Sequence, residues 1–152
     1  MGPLLALEAE VELVGRGCSR CRVEDYTNER EIRRGTLITA VRFKLEQWDY
    51  YYYREARTFA DHPAFTLTLL CMKDAGHIKK FRAVLTGCVG RHMRLNRVEE
   101  DLVQTPVGNI EPARVAQTVN VRFAGKKSMS PEYLKHLVVV QVERGIAELL
   151  GR

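Results

Sequence analysis

Few residues in this 152-residue chain have both the type and the spacing to do chemistry. Cys18-Ser19-Arg20-Cys21 has the gap of a metal-ligand pair or a redox dithiol, but a structural zinc site needs four ligands and a catalytic one usually three. Cys71 and Cys88 fall inside apolar runs, where a thiol behaves as a small hydrophobe. No metal site is therefore expected. The four histidines, His62, His77, His92 and His136, share no spacing of a ligand set or a triad. Nucleophile elbow, Walker loop and GxGxxG are all missing from the sequence. No catalytic residue is assigned.

The elements that would position any site centre on residues 50–90. Two apolar runs, Phe65–Met72 and Ile78–Val89, flank Asp74-Ala75-Gly76. A short loop with Asp and Gly between β-rich runs predicts a hairpin, because Gly accepts the positive φ of a tight reversal. Phe81, Ala83 and Leu85 alternate with Lys80, Arg82 and Thr86, the period of a half-buried antiparallel strand. Tyr50–Arg54 is aromatic and β-prone, and predicts a further strand; Leu37–Phe43 predicts another. Upstream, Leu4–Leu7 reads as an apolar face at the end of an element, Glu8–Val14 alternates as a strand, and Cys18–Val23 can return beside it. The polar stretch from Val23 to Arg34 is expected to be loop.

Three helices are expected downstream. Asn96–Val103 has Asn96 as its cap and Glu99, Glu100 and Asp101 toward water. Asn109–Val121 carries Pro112 in its first turn. Ser130-Pro131-Glu132 is a helix start with a capping hydroxyl, Pro at the first position and an acid in the first turn. Leu134, Leu137, Val138, Val142, Ile146 and Leu149 follow at spacings of three and four, and Gly151 is placed to cap the end. The fold class is therefore α+β: an antiparallel three- to four-stranded sheet covered on one face by three helices, preceded by a short β segment. Leu67, Leu69, Phe81, Ala83, Leu85, Leu137 and Ile146 are the candidate core.

Charged residues at 28% and hydrophobic ones at 45% make a globular balance for one domain, or one domain and a fragment. The net charge of +5 comes from scattered basic residues and does not form the single stripe that nucleic-acid binding needs. No apolar run reaches membrane-spanning length and no secretory signal opens the chain, so a cytoplasmic location with reduced cysteines is expected.

Taken in order, several segments resemble the FAD-binding medium subunit of the xanthine dehydrogenase and aerobic carbon monoxide dehydrogenase group, the molybdenum hydroxylases. Leu4–Leu13 is similar to that family's LLALDA passage, Val23-Glu24-Asp25-Tyr26 to its loop of a hydrophobic, an acid and an aromatic, and Gly35–Val41 to its DELITEI strand. Arg54-Glu55-Ala56-Arg57 falls where the family has basic, Ala or Gly, then Arg. Phe81–Val89 resembles RIALGGV, Met93-Arg94-Leu95 with Val98-Glu99 its PxRxxxxE helix entry, and Ser130–Leu137 its last helix, SAEYRRHL. The match covers roughly residues 4–149.

The resemblance implies that residues 1–34 are the tail of an FAD-binding domain and residues 35–152 the family's C-terminal domain. It implies FAD as cofactor, with Ile38 where a branched aliphatic packs on the isoalloxazine and Arg54 where a cation lies near it. Arg57 would pair with a phosphate, a partner's acid or Asp61; the plain alternative makes both arginines surface residues of a strand end. The implied partners are an iron–sulfur subunit, a molybdenum-cofactor subunit and an N-terminal FAD-binding half. The implied role is electron relay to an acceptor, in a chain inactive alone; the other reading is a flavin-free structural or subunit-docking module. The family's two glycine-rich phosphate segments have no counterpart in this sequence. The wall left exposed is expected near Leu4, Leu5, Leu7 and Ile38.

Protein purified without chelator should carry well under one equivalent of zinc or iron by elemental analysis. Stoichiometric metal that Cys18→Ser removes would overturn the reading of an isolated cysteine pair.

Overall fold

The computed structural model describes residues 1–15, 19–125 and 129–152. The chain divides into two compact units, one of Met1 and Pro3–Glu46, the other of Gln47–Arg152 with Gly2.

The first unit opens with helix α1 (Gly2–Ala6), then β1 (Glu10–Gly15) and β2 (Arg20–Arg22). The expected loop over Val23–Arg34 is instead two short helices, α2 (Val23–Asn28) and α3 (Arg30–Arg33). Glu24 and Asp25 sit in the first turn of α2 and favour its positive end, and Val23 is drawn into a small core with Ala9, Val11 and Leu13. Strand β3 (Thr36–Arg42) pairs antiparallel with β1, giving a three-stranded sheet in the order β2-β1-β3. The strand expected over 37–43 thus joins the first sheet.

In the second unit β4 (Asp49–Glu55), β5 (Phe65–Asp74), β6 (His77–Thr86) and β7 (His92–Arg94) form an antiparallel sheet in sequential order. The hairpin between β5 and β6 turns at Ala75 and Gly76, with φ of 47° and 79°. Two consecutive positive φ values make the turn whose twist matches the strands. β7 was not expected; Met93 and Arg94 leave the preceding turn extended and add to the edge of β6.

Helix α4 (Asn96–Leu102) starts one residue earlier than expected: Leu95 is its cap, without a side-chain hydrogen bond, and Asn96 is its first helical residue. The long helix expected over 109–121 is a 3₁₀ turn at Val107–Asn109 and a short α5 (Pro112–Ala116). β-branched Thr118, Val119 and Val121 disfavour a longer helix, and Val119, Val121 and Phe123 are buried at every second residue outside any helix or strand. Helix α6 (Pro131–Leu149) has the expected limits, and the Ser130 hydroxyl accepts from the Tyr133 N–H at 3.1 Å. Gly151, with φ of 77°, ends it.

The three helices share one core with the inward residues of the sheet. Leu67, Leu69, Phe81, Ala83, Leu85 and Ile146 are buried as expected, while Leu137 is only partly buried. α6 lies close over β4 and β5 because residue 145 has no side chain: a Cβ there would sit 2.5 Å from Tyr51 Cδ1 and 2.6 Å from Leu69 Cδ1. Gly145→Ala should therefore destabilise the protein by about 1–3 kcal/mol through overpacking, despite alanine's better helix propensity. Urea unfolding checks this; a neutral or stabilising substitution would show that α6 can move away at no cost.

Candidate functional site: an exposed apolar strand and an aromatic edge

In the first unit, β1 and β3 run in register from Glu10↔Arg42 to Glu12↔Ala40, then shift so that Leu13 faces Ile38. Thr39 is the extra residue, and its hydroxyl donates to the Glu12 carbonyl at 3.3 Å. This bulge puts Ile38 and Val41 on the same side as Leu13 and Val11, because an added residue reverses the alternation. Leu13 is 6% exposed, yet Ile38 opposite it is 40% exposed. The apolar face therefore continues from a buried strand onto an open one. Leu37, Phe43 and Leu45 are exposed beside it, whereas Leu4 and Leu5 pack on the small core. The open wall lies on β3 and the residues after it, with α1 playing no part beyond the core contact. Such a surface can stack a flat apolar ring or accept a partner.

Arg54 and Arg57 belong to the second unit. The guanidinium of Arg54 donates to the carbonyls of Asp61 and, at 3.4 Å, Thr58. Both acceptors are neutral, so these bonds orient the cation without cancelling its charge. Arg57 takes the third of its expected partners: its Nε lies 3.4 Å from Asp61 Oδ2, in an exposed pair. Pairs of this kind contribute little stability.

The tyrosines of β4 divide by alternation. Tyr51 donates to Gln141 Oε1 on α6 at 2.7 Å, and Tyr53 donates to Glu55. Burial, then the Glu55 hydrogen bond and charge, push the Tyr53 phenol up to about 12. Burial and the charge of Glu148 raise Tyr51, against the opposing pull of Arg144. Tyr50 and Tyr52 point to the other side and are exposed. At the far end of β4 from Arg54, an open cleft of about 450 Å³ is lined by Trp48, Asp49, Tyr50, Lys73, Glu148 and the end of α6. Sequence reasoning missed it, since it joins three chain segments that share no motif. Lys73 Nζ donates to the Leu149 carbonyl at 2.9 Å and pairs with Asp49 at 2.9 Å. A cation there complements the carbonyl end of the helix.

Burial pushes the Cys71 thiol up to about 11, which makes it inert. Among the described residues no group of His, Cys, Asp and Glu could hold a metal, and no helix is long and apolar enough to cross a membrane. Cys18 lies outside the described residues.

No family model and no curated protein matches the sequence. Solved structures match the fold. A chain of quinoline 2-oxidoreductase from Pseudomonas putida 86 superposes with a TM-score of 0.85 at 14% identity, over 99% of this chain and 55% of its own length. A chain of the Cu,Mo-CO dehydrogenase gives 0.82 at 19% identity, with the same two coverages. The carbon monoxide dehydrogenase of Hydrogenophaga pseudoflava gives 0.83 at 15%, again over 99% and 55%. The chain thus has the fold of just over half of a chain from these molybdenum hydroxylases, as its motifs led one to expect.

The Tyr53 shift sets a pH dependence. Its phenol ionises near 10 when unfolded and near 12 when folded, so the folded state holds the proton longer. The contribution to stability is fully present below pH 10 and is lost as pH rises from about 10 to 12. Tyr53→Phe should flatten the fall of stability across that window in denaturant titrations. An unchanged slope would mean that Tyr53 ionises as freely as an exposed phenol.

Proposed function

We propose that this chain is the C-terminal portion of the FAD-binding, electron-transferring subunit of a molybdenum hydroxylase resembling xanthine dehydrogenase. The observation that carries the reading is the fold likeness over 99% of the chain to quinoline 2-oxidoreductase and CO dehydrogenase chains. In this reading residues 1–34 are the tail of the FAD-binding domain and residues 35–152 the C-terminal domain, with β3 crossing back to pair with β1. The partners are an iron–sulfur subunit, a molybdenum-cofactor subunit and an N-terminal FAD-binding half, in the cytoplasm. Substrate choice lies with the molybdenum subunit.

The residue types that the resemblance puts beside a flavin ring are present, one in each unit, and those for its pyrophosphate are not. Ile38 offers an exposed branched aliphatic on an apolar face, and Arg54 offers a cation that donates to two carbonyls. The glycine segments whose backbone amides would cradle phosphates have no counterpart in the sequence. FAD, when bound, supplies the electron-carrying chemistry. Ile38 supplies a wall that excludes water, and Arg54 a fixed positive charge that favours an anionic ring without titrating itself.

The alternative is a flavin-free subunit-docking module. It is favoured by the chain spanning 55% of the length of the chains it matches and by Arg57 being tied to Asp61.

FAD titration followed by flavin fluorescence tests the division of labour. Each hydrogen bond to a charged group is worth about 1.5–3 kcal/mol, and about 1.4 kcal/mol is one factor of ten. Losing several phosphate contacts should leave the 152-residue chain with affinity weaker than micromolar. Sub-micromolar binding would show a complete site in this chain. In a site reconstituted by co-expression with an FAD-binding half, Ile38→Asp and Arg54→Glu should weaken flavin retention, and Lys126→Glu should not. Retention indifferent to both would support the docking module.

A further inference from the structure

We propose that strand β4 is a self-association edge, at which a second copy of this chain pairs antiparallel about Tyr51 to join the two four-stranded sheets. The inference is independent of the flavin reading. β4 is the terminal strand of its sheet, and it pairs with β5 over seven consecutive positions with no shift of register. A flat edge presents a row of backbone donors and acceptors to whatever strand comes next.

Proteins usually blunt such edges with a bulge, a proline, a lysine or an inward charge. β3 has its bulge at Thr39. From Tyr50 to Tyr53, β4 has no bulge, proline, lysine or charge, and Tyr50 and Tyr52 stand 72% and 46% exposed.

The sequence of the strand selects both the occupant and the register. Centring two copies on Tyr51 places Tyr50 against Tyr52 of the other copy, twice, and Asp49 against Tyr53. Aromatic pairs across strands are among the favourable ones, and no like charges meet. Centring on Tyr52 would set Asp49 against Glu55, like charge on like, which argues against that register.

Sedimentation equilibrium on the 152-residue chain at tens of micromolar should give twice the 17.4 kDa monomer mass. Tyr50→Lys with Tyr52→Lys puts Lys against Lys and should weaken the dimer about tenfold or more. Tyr50→Glu with Tyr52→Glu should do the same, and an equimolar mixture of the two variants should associate again. Both sites are exposed, so circular dichroism should be unchanged. Ile38→Lys on β3 should leave the mass alone. A monomeric wild type, or a dimer indifferent to the lysine pair, would overturn the proposal.

Discussion

The close seating of α6 on the sheet is the constraint on which most of the second unit depends. With no side chain at residue 145, the helix approaches until Tyr51 and Leu69 fill the space a Cβ would need. At that separation the Tyr51 hydroxyl reaches Gln141, itself buried, and the pair satisfies both polar groups inside the core. Without the bond each would carry a desolvation cost of about 1–3 kcal/mol. The same seating brings the end of α6 within reach of Lys73, so that the helix terminus is held by a cation from β5. A glycine that is unfavourable for the helix by itself is thus the condition for two tertiary links that outweigh it.

A second buried polar group ties the other end of the sheet. The Glu99 carboxylate accepts from the Ala83 N–H at 2.8 Å and from Arg94 at 2.8 and 2.9 Å, and it is 8% exposed. One residue of α4 therefore binds both β6 and β7. The sequence reading sent Glu99 to water together with Glu100 and Asp101, because an acid on an exposed-looking helix normally faces out. What overrode that rule was β7, three residues long and invisible to periodicity. With Arg94 on that strand, the buried carboxylate gains a cation beside the Ala83 N–H.

The helix α6, the β5–β6 hairpin and the inward faces of both strands could be read from spacing, since capping, alternation and turn chemistry all act within a few residues. The Ser130 cap and the Ala75-Gly76 turn are local events of this kind. Helices α2, α3 and the shortened α5 escaped because short helices owe their existence to what they pack on. For the candidate site the limit was different. Ile38 was named from a family resemblance, but its side depends on the bulge at Thr39, and a one-residue slip moves a side chain to the opposite face. Arg57 was open between three partners, and its pairing with Asp61 comes from the folding of the 56–61 loop, which spacing does not show.

The two edges facing outward illustrate how such differences bear on function. β3 exposes apolar side chains but carries a bulge, which makes it a poor template for another strand and leaves its face, with Ile38 and Val41, as the part available for contact. β4 is regular in its backbone and divides its tyrosines, two inward on α6 and two outward. A ring stacked on β3 gains mainly from burying apolar area, about 25 cal/mol per Å². That gain is small for one wall, because the opposite face of the ring stays in water. The apolar surface of β3 therefore gains most when something else closes over it, whereas a strand laid along β4 would gain backbone hydrogen bonds along a regular edge.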